Sequence, residues 1–147
     1  MNTQDQNCSF CDKTTIKNQQ IIDNNWAIAL EPRRPVTSGH MLIIPKRHVS
    51  FITDLSSHEL MAMQELISQL SKIFVIFSNA QGYHVMNNNG ELADQHIPHV
   101  HFHVFFRSKD DISPFDILSK KFPRESFSED TWNKNVEKLR EISLSLS

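Results

Sequence analysis

Apolar residues recur along this chain with two periods, and each period predicts an element. Ile21-Ile22 and the run over residues 26–30 flank Asp23-Asn24-Asn25. Asx residues tolerate turn backbone angles while β-branched and aromatic flanks favour extension, so the pattern predicts a hairpin. A third apolar run over residues 40–44 follows a loop rich in Pro and Arg and stops at Pro45, which has no N–H to give a central ladder. Ser56-Ser57-His58-Glu59 fits a capping box. After it Leu60, Met63, Leu66, Ile67, Leu70, Ile73, Phe74 and Phe77 recur at three- and four-residue steps, which predicts one long amphipathic helix packed on a sheet. Residues 83–87 read as a strand, Asn88-Asn89-Gly90 as a turn, and residues 97–106 as a strongly patterned strand. A second helix is expected from Ser128 to about Ile142, with Trp132, Val136 and Leu139 on one face. The polar stretch at residues 108–111 separates a core, residues 1–107, from a tail, residues 108–147, within one domain.

Composition narrows the functional classes. With 147 residues, 39% of them hydrophobic and 22% charged, the chain has enough apolar mass for one folded core and is neither disordered nor fibrous. The formal charge of -2 leaves no global positive field for duplex nucleic acid or an anionic membrane, so an anionic ligand needs a local site. Uninterrupted apolar runs, such as residues 41–44 and 73–77, are far shorter than the roughly 20 residues of a bilayer span, so no membrane segment is expected. Met1 to Asn7 are polar and lack the basic start and apolar stretch of a secretory leader, which makes a cytoplasmic location the expectation. Cys8 and Cys11 are then reduced, and a C-x-x-C pair in that setting points to a metal or to redox chemistry.

The chemistry concentrates in one segment. His99-Val100-His101-Phe102-His103-Val104 alternates strictly, so an extended backbone puts the imidazoles on one face and the apolar side chains on the other. Alternate residues of a strand lie about 6.7 Å apart, a spacing that suits a phosphoanhydride. His40, His48 and His96 add to the concentration. Three readings are compatible with it: packing histidines, a metal site of strand ligands, and phosphate chemistry on a nucleophilic imidazole.

Around the histidines stand Ser38-Gly39-His40, Ile44-Pro45-Lys46-Arg47-His48-Val49, Gly82-Tyr83, Asn88-Asn89-Gly90 and Gln95-His96-Ile97-Pro98-His99. From about Cys8 to Arg107 the chain thereby resembles the histidine triad, or HIT, family of nucleotide hydrolases and transferases, whose signature of three histidines alternating with apolar residues is matched by residues 99–105. The resemblance implies an α+β fold with a mainly antiparallel five-stranded sheet, one long helix, a C-terminal helix and a homodimer. It implies that His101 attacks the α-phosphorus to form a nucleotidyl-histidine, which water resolves to a nucleoside monophosphate. A backbone carbonyl near His99 would fix the His101 tautomer, and His103 and His40 would contact phosphate oxygens. Asn88, Gln95 and His96 would contact the substrate. A structural Zn2+ on Cys8, Cys11, His48 and His99 is implied as well, with no catalytic metal.

Some positions depart from the family pattern. Pro32 stands where a ribose-binding acidic or amide residue is usual, which leaves its neighbour Glu31 as the candidate. Asp94 replaces the usual glycine before Gln95, His96 a Ser or Thr, and His84 an Asn. A carboxylate at Asp94 repels phosphate or restricts the loop. His84 reads as structural. The function expected is hydrolysis at the α-phosphate of a nucleotide conjugate or dinucleoside polyphosphate. The alternative is a nucleotide-binding or interaction module with weak catalysis. Nucleotidyl transfer to a sugar phosphate is disfavoured, because that branch carries Gln where this chain has His103.

Overall fold

A computed structural model describes residues 7–124 and 126–147. The leader reading of the first residues therefore falls, apart from Asn7, outside the described residues. Five strands, β1 (Gln20–Asp23), β2 (Ala27–Leu30), β3 (His40–Pro45), β4 (Gly82–Asn87) and β5 (Phe102–Arg107), form one antiparallel sheet in the order β1-β2-β3-β5-β4. Four helices, α1 (Lys13–Gln19), α2 (Ser57–Ser78), α3 (Pro114–Leu118) and α4 (Glu129–Ser145), cover its two faces. The α+β class with a five-stranded antiparallel sheet and one long helix is thus the observed architecture.

Local chemistry sets the element ends. The Asn24 side chain accepts from the N–H groups of Trp26 and Ala27 at 3.1 and 2.9 Å, closing the β1–β2 turn. Ser56 caps α2 through the Glu59 N–H while the Glu59 carboxylate accepts from the Ser56 N–H, a complete capping box. That carboxylate, only 2% exposed as a side chain, also receives both Arg47 contacts at 2.8 Å, and the guanidinium holds it down to about 2. The basic segment after β3 is thereby clamped to the start of the long helix.

One face of the sheet is dry. Ala27, Ala29, Met41, Ile43, Phe102, Val104 and Phe106 pack against Met63, Leu66, Leu70, Ile73 and Phe74 of α2. Trp132, Val136, Leu139 and Ile142 of α4 enter the same cluster, so the tail helix belongs to the main core. By length and hydropathy α2 suits a bilayer, contrary to the run-length reading, but here it is the core helix of the sheet. Leu60, predicted on its buried face, is 42% exposed. The other face carries Ile28, Leu30, Leu42 and Ile44 with Cys8, Phe10 and Ile16 at one end, and Phe105 with Val36 and Ile117 at the other.

Two boundaries differ from expectation. The final strand starts at Phe102, not at residue 97. Ahead of it the extended chain leaves the ladder: the Val100 N–H donates to the Val49 carbonyl at 2.6 Å, and the His101 carbonyl accepts from the Asn87 side chain at 2.9 Å. In addition α1 and α3, of 7 and 5 residues, carry too few turns for helical periodicity to declare them.

Candidate active site

β3 and β5 pair so that His40 lies opposite Phe105 and Leu42 opposite His103. Gly39 makes this register possible, because a Cβ there would sit 2.2 Å from the Phe106 carbonyl oxygen. The two strands put His40, His103 and Phe105 in one stack: the His40 ring is 4.5 Å from Phe105 and 5.2 Å from His103. His101 continues the row, its ring 4.9 Å from His103 and 5.3 Å from Phe10.

Hydrogen-bond partners assign the ring protons. The Val36 N–H donates to His40 Nδ1 at 3.0 Å, so the His40 proton is on Nε2. From there it is given to His103 Nδ1 at 2.9 Å, which leaves the His103 proton on Nε2. His101 Nδ1 donates to the His99 carbonyl at 2.8 Å, so its Nε2 holds a bare lone pair. The row thus presents an acceptor, or nucleophile, at His101 and a donor at His103. Burial keeps it uncharged: desolvation pushes His40 well below its ordinary 6.5, takes His103 to about 4, and lowers His101 as well. Neighbouring charge adds to this at each ring, from Arg124 at both His40 and His103 and from His96 at His101.

The fourth histidine turns away. His99 is fully buried, and its Nε2 donates to the Pro45 carbonyl at 2.9 Å. Its Nδ1 is therefore a lone pair, 3.6 Å from the Sγ atoms of both Cys8 and Cys11, and His48 Nδ1 is 3.3 Å from Cys11 Sγ. The four donor atoms lie within 4.8 Å of one another, a set that fits one tetrahedral metal ion. The carbonyl behind His99 holds the ring in the ligating tautomer. Outside this cluster a cavity of about 990 Å³ opens, floored by Phe10, Ile16 and Ile28 and edged by Lys13, Lys17 and Lys46.

The remaining candidates divide. Gln95 sits under the histidine segment with its amide committed to backbone: it accepts from the Gly90 N–H at 2.7 Å and donates to the carbonyls of Ser50 and Ile97 at 2.8 and 3.1 Å. Asn88 reaches the Asp94 carbonyl, at 3.4 Å, and His96 is exposed. Glu31 is 3% exposed, and no hydrogen bond or ring contact joins it to the histidines among the described residues. In β2 the residues Ile28 and Leu30 face the histidine side and Ala27 and Ala29 the core, an alternation that Glu31 continues on the core side. Its Oε2 finds no partner among the described residues, and burial raises its carboxyl to about 7. His84 meets Arg107 at 3.3 Å and the Phe115 ring at 4.9 Å, in keeping with a structural role. The sequence gives Asn87 and Asn89 no site role of their own, because an asparagine run signals a turn. Asn87 holds the His101 carbonyl, Asn89 accepts from the Ile52 N–H at 2.8 Å, and the two side-chain amides bond to each other.

The family model of the HIT domain matches residues 13–110. The chain belongs to the HIT family. Among its relatives, adenosine 5'-monophosphoramidase HNT1 of Candida albicans is 30% identical over 140 residues, 91% of this chain and 90% of that protein. HNT1 of Saccharomyces cerevisiae is 33% identical over 104 residues, 69% of this chain and 63% of that protein. An asymmetrical bis(5'-nucleosyl)-tetraphosphatase of Schizosaccharomyces pombe is 27% identical, covering 74% of this chain and 60% of its own length. The fold matches a Zn-bound histidine triad family protein from Mycobacterium smegmatis with a TM-score of 0.76 at 23% identity, over 97% of this chain and 96% of the other.

Proposed function

We infer that this HIT protein is a nucleotide hydrolase that cleaves at the α-phosphate, acting on a phosphoramidate or phosphoanhydride and releasing a nucleoside monophosphate. The observation that carries the reading is the His101 tautomer. With Nδ1–H spent on the His99 carbonyl, Nε2 is an unprotonated nucleophile at neutral pH. Attack forms a bond from Nε2 to phosphorus as the bond to the leaving group breaks, a leaving amine taking up a proton from solvent. Water then attacks the phosphorus, its oxygen replacing Nε2 and its proton passing to solvent, which frees the monophosphate and restores the neutral ring. Among the nonbridging oxygens, the one beside His103 receives the Nε2–H that the His40 contact orients. Relatives named as a phosphoramidase, for a P–N bond, and as a tetraphosphatase, for a P–O–P bond, support a nucleotide hydrolase of one or the other kind.

The test is an acid quench during turnover of a nucleoside phosphoramidate. A covalent nucleotidyl adduct should map to His101 by mass spectrometry. His101→Asn should lower turnover by at least about a thousandfold while monophosphate binding survives. Equal single-turnover rates for wild type and variant would sink the reading, and tight binding without product over hours would make the protein a binding module.

Zinc fits the four-residue cluster. In a tetrahedron with Zn–S of about 2.3 Å and Zn–N of about 2.0–2.1 Å, a sulfur and a nitrogen ligand stand about 3.6 Å apart. The contacts of 3.6, 3.3 and 3.6 Å match that edge. Bound there it would supply cross-bracing between the N-terminal segment, the end of β3 and the histidine segment. Four protein ligands leave no open position for water or substrate.

A homodimer through β4 is part of the same reading. This strand ends the sheet with Tyr83 and Val85 51% and 47% exposed, and Val75 and Ile76 of α2 are 55% and 56% exposed. An edge with apolar side chains invites pairing with a second copy. Sedimentation equilibrium should return twice the chain mass, and Val85→Lys should return it to one.

A further inference from the structure

The four donors of the metal cluster are not equally sheltered. Cys8 and His99 are buried, whereas Cys11 and His48 are half-buried and line the cavity of about 990 Å³ outside the cluster. That cavity is separate from the row that cleaves the nucleotide. Phe10 is its wall toward His101, 5.3 Å from ring to ring, and none of His40, His101 and His103 lines it. A solute entering there meets the cysteine pair without meeting the nucleophile.

Backbone geometry holds the two sulfurs within reach of each other. The Cys11 N–H donates to the Cys8 carbonyl at 3.0 Å, closing a tight turn. Such a turn keeps its first and fourth Cα atoms within about 7 Å, the limit for a disulfide. The two Sγ atoms lie within 4.8 Å of each other, and each is 3.6 Å from His99 Nδ1. Reactive cysteines stand partly exposed beside positive charge, and buried ones are inert toward solutes. Cys11 meets the first description and Cys8 the second. The cavity supplies the charge, with Lys13, Lys17, Lys46 and Arg47 set against the single carboxylate of Asp12. Lys46 is paired with Asp23 at 2.7 Å and Arg47 with Glu59 at 2.8 Å, while Lys13 and Lys17 form no ion pair among the described residues. Their field favours an anionic visitor.

We propose that Cys11 is a redox modification site, oxidised by a small disulfide that carries carboxylates and enters through this cavity, with Cys8 as the resolving thiol. In the first exchange Cys11 Sγ bonds to one sulfur of the small disulfide and the other sulfur leaves as a thiolate. In the second, Cys8 Sγ attacks Cys11 Sγ and the remaining small thiolate leaves. Two cysteine thiolates thereby lose two electrons to form one disulfide, and the small disulfide gains them as two thiolates. The oxidised pair has no thiolate left to ligate, so an ion held there is released. The proposal rests on the metal reading above and gives that centre a regulation: an oxidising thiol pool removes the brace and leaves His101 its chemistry.

The experiment treats the zinc-loaded full chain with glutathione disulfide and follows released metal with a chromogenic chelator, against a sample without disulfide. About one zinc per chain should be released as a Cys8–Cys11 disulfide appears by mass spectrometry, the melting temperature should fall as it does on chelation, and dithiothreitol with zinc should reverse both. Cys8→Ser should trap the glutathione adduct on Cys11, and Cys11→Ser should leave Cys8 unmodified. At low salt the rate ratio of glutathione disulfide to cystamine, a cationic disulfide, should fall at least about fivefold in Lys13→Glu with Lys17→Glu, and it should fall in wild type as salt is added. Retained zinc without a Cys8–Cys11 disulfide, or oxidation by peroxide alone, overturns the proposal and leaves the metal reading intact. An adduct on Cys8 in Cys11→Ser overturns Cys11 as the site, and a ratio that ignores the lysines overturns the cavity as the route. Absence of zinc in protein purified without chelator overturns the metal reading, and mass spectrometry still decides whether Cys11 exchanges and Cys8 resolves.

Discussion

On one side of β3 and β5, Met41, Ile43, Phe102, Val104 and Phe106 lie buried under α2, and one residue along the same strands His40, Leu42, His103 and Phe105 face the other way. The two faces are equally well ordered by the ladder and differ in what their side chains can still do. On the helix side these apolar side chains have nothing to offer but packing, so a change there acts on the folding equilibrium. On the histidine side His101 and His103 each have one nitrogen fixed by a protein partner and the other left for chemistry, while His40 spends both of its nitrogens on Val36 and His103. Rigidity serves both faces, but only the second retains unspent valence.

One substitution on each face breaks this comparison most directly. His101→Asn should cost at least about a thousandfold in turnover, equivalent to about 4 kcal/mol of barrier, with little change in melting temperature. Met41→Ala, fully buried on the helix side, should cost about 2–5 kcal/mol in chemical denaturation while the protein that stays folded turns over normally. A variant of either kind that shifted both readouts equally would show that the two faces are not separable.

The Cys8, Cys11, His48 and His99 donors gather at one end of the histidine side, so the loss of an ion held there should be read first as stability. Cys8→Ser with Cys11→Ser, or chelation, should lower the melting temperature by about 10 °C, because an ion bound only by the folded chain adds to its stability. Catalysis should persist in what remains folded, since His101 is oriented by the His99 carbonyl and not by its ring. Loss of turnover at unchanged melting temperature contradicts the structural assignment.

How much of this was legible follows from range. The capping box at Ser56 and Glu59, the Asn24 turn and the alternation from His99 to Val104 are decided within a few residues, and sequence reading finds them. The start of β5 depends on Asn87 and Val49, remote in sequence, and so the strand was drawn too long. Glu31 illustrates the period-2 hazard: it continues the core-side alternation of Ala27 and Ala29, and a step of one residue changes the face a side chain meets.

Protonation sharpens the comparison further. On the core side, the Glu31 carboxyl titrates near 7 against about 4.5 in the unfolded chain. A raised value means stability that is present below about pH 4.5 and lost as pH rises through 7. Glu31→Gln should therefore stabilise the protein at pH 8 by roughly 1–3 kcal/mol and have little effect at pH 4. On the histidine side the sign reverses. His103 titrates near 4 against 6.5 unfolded, so its contribution is present above about pH 6.5 and is lost as pH falls toward 4. Glu31→Gln melts followed from pH 4 to 8 separate the two, because only the alkaline loss should vanish.

The smallest effect concerns Asp94, where backbone and charge compete at one residue. Its φ of 60° and ψ of 29° place it in the left-handed region, where glycine is at ease and a side chain is strained. Its carboxylate is exposed, two residues from His96, whose charge reaches His101. Asp94→Gly relieves the strain but enlarges the freedom of the unfolded chain, so the net stability change should stay within about 0.5 kcal/mol. Asp94→Ala brings neither the ease of glycine nor the tolerance of Asp for this conformation, and should cost about 1 kcal/mol. Both variants remove the same negative charge. Both should therefore lower KM for an anionic nucleotide by the same small factor, about twofold, at low salt and by less at high salt. If KM fell for Asp94→Gly alone, loop conformation and not charge would be what this position contributes.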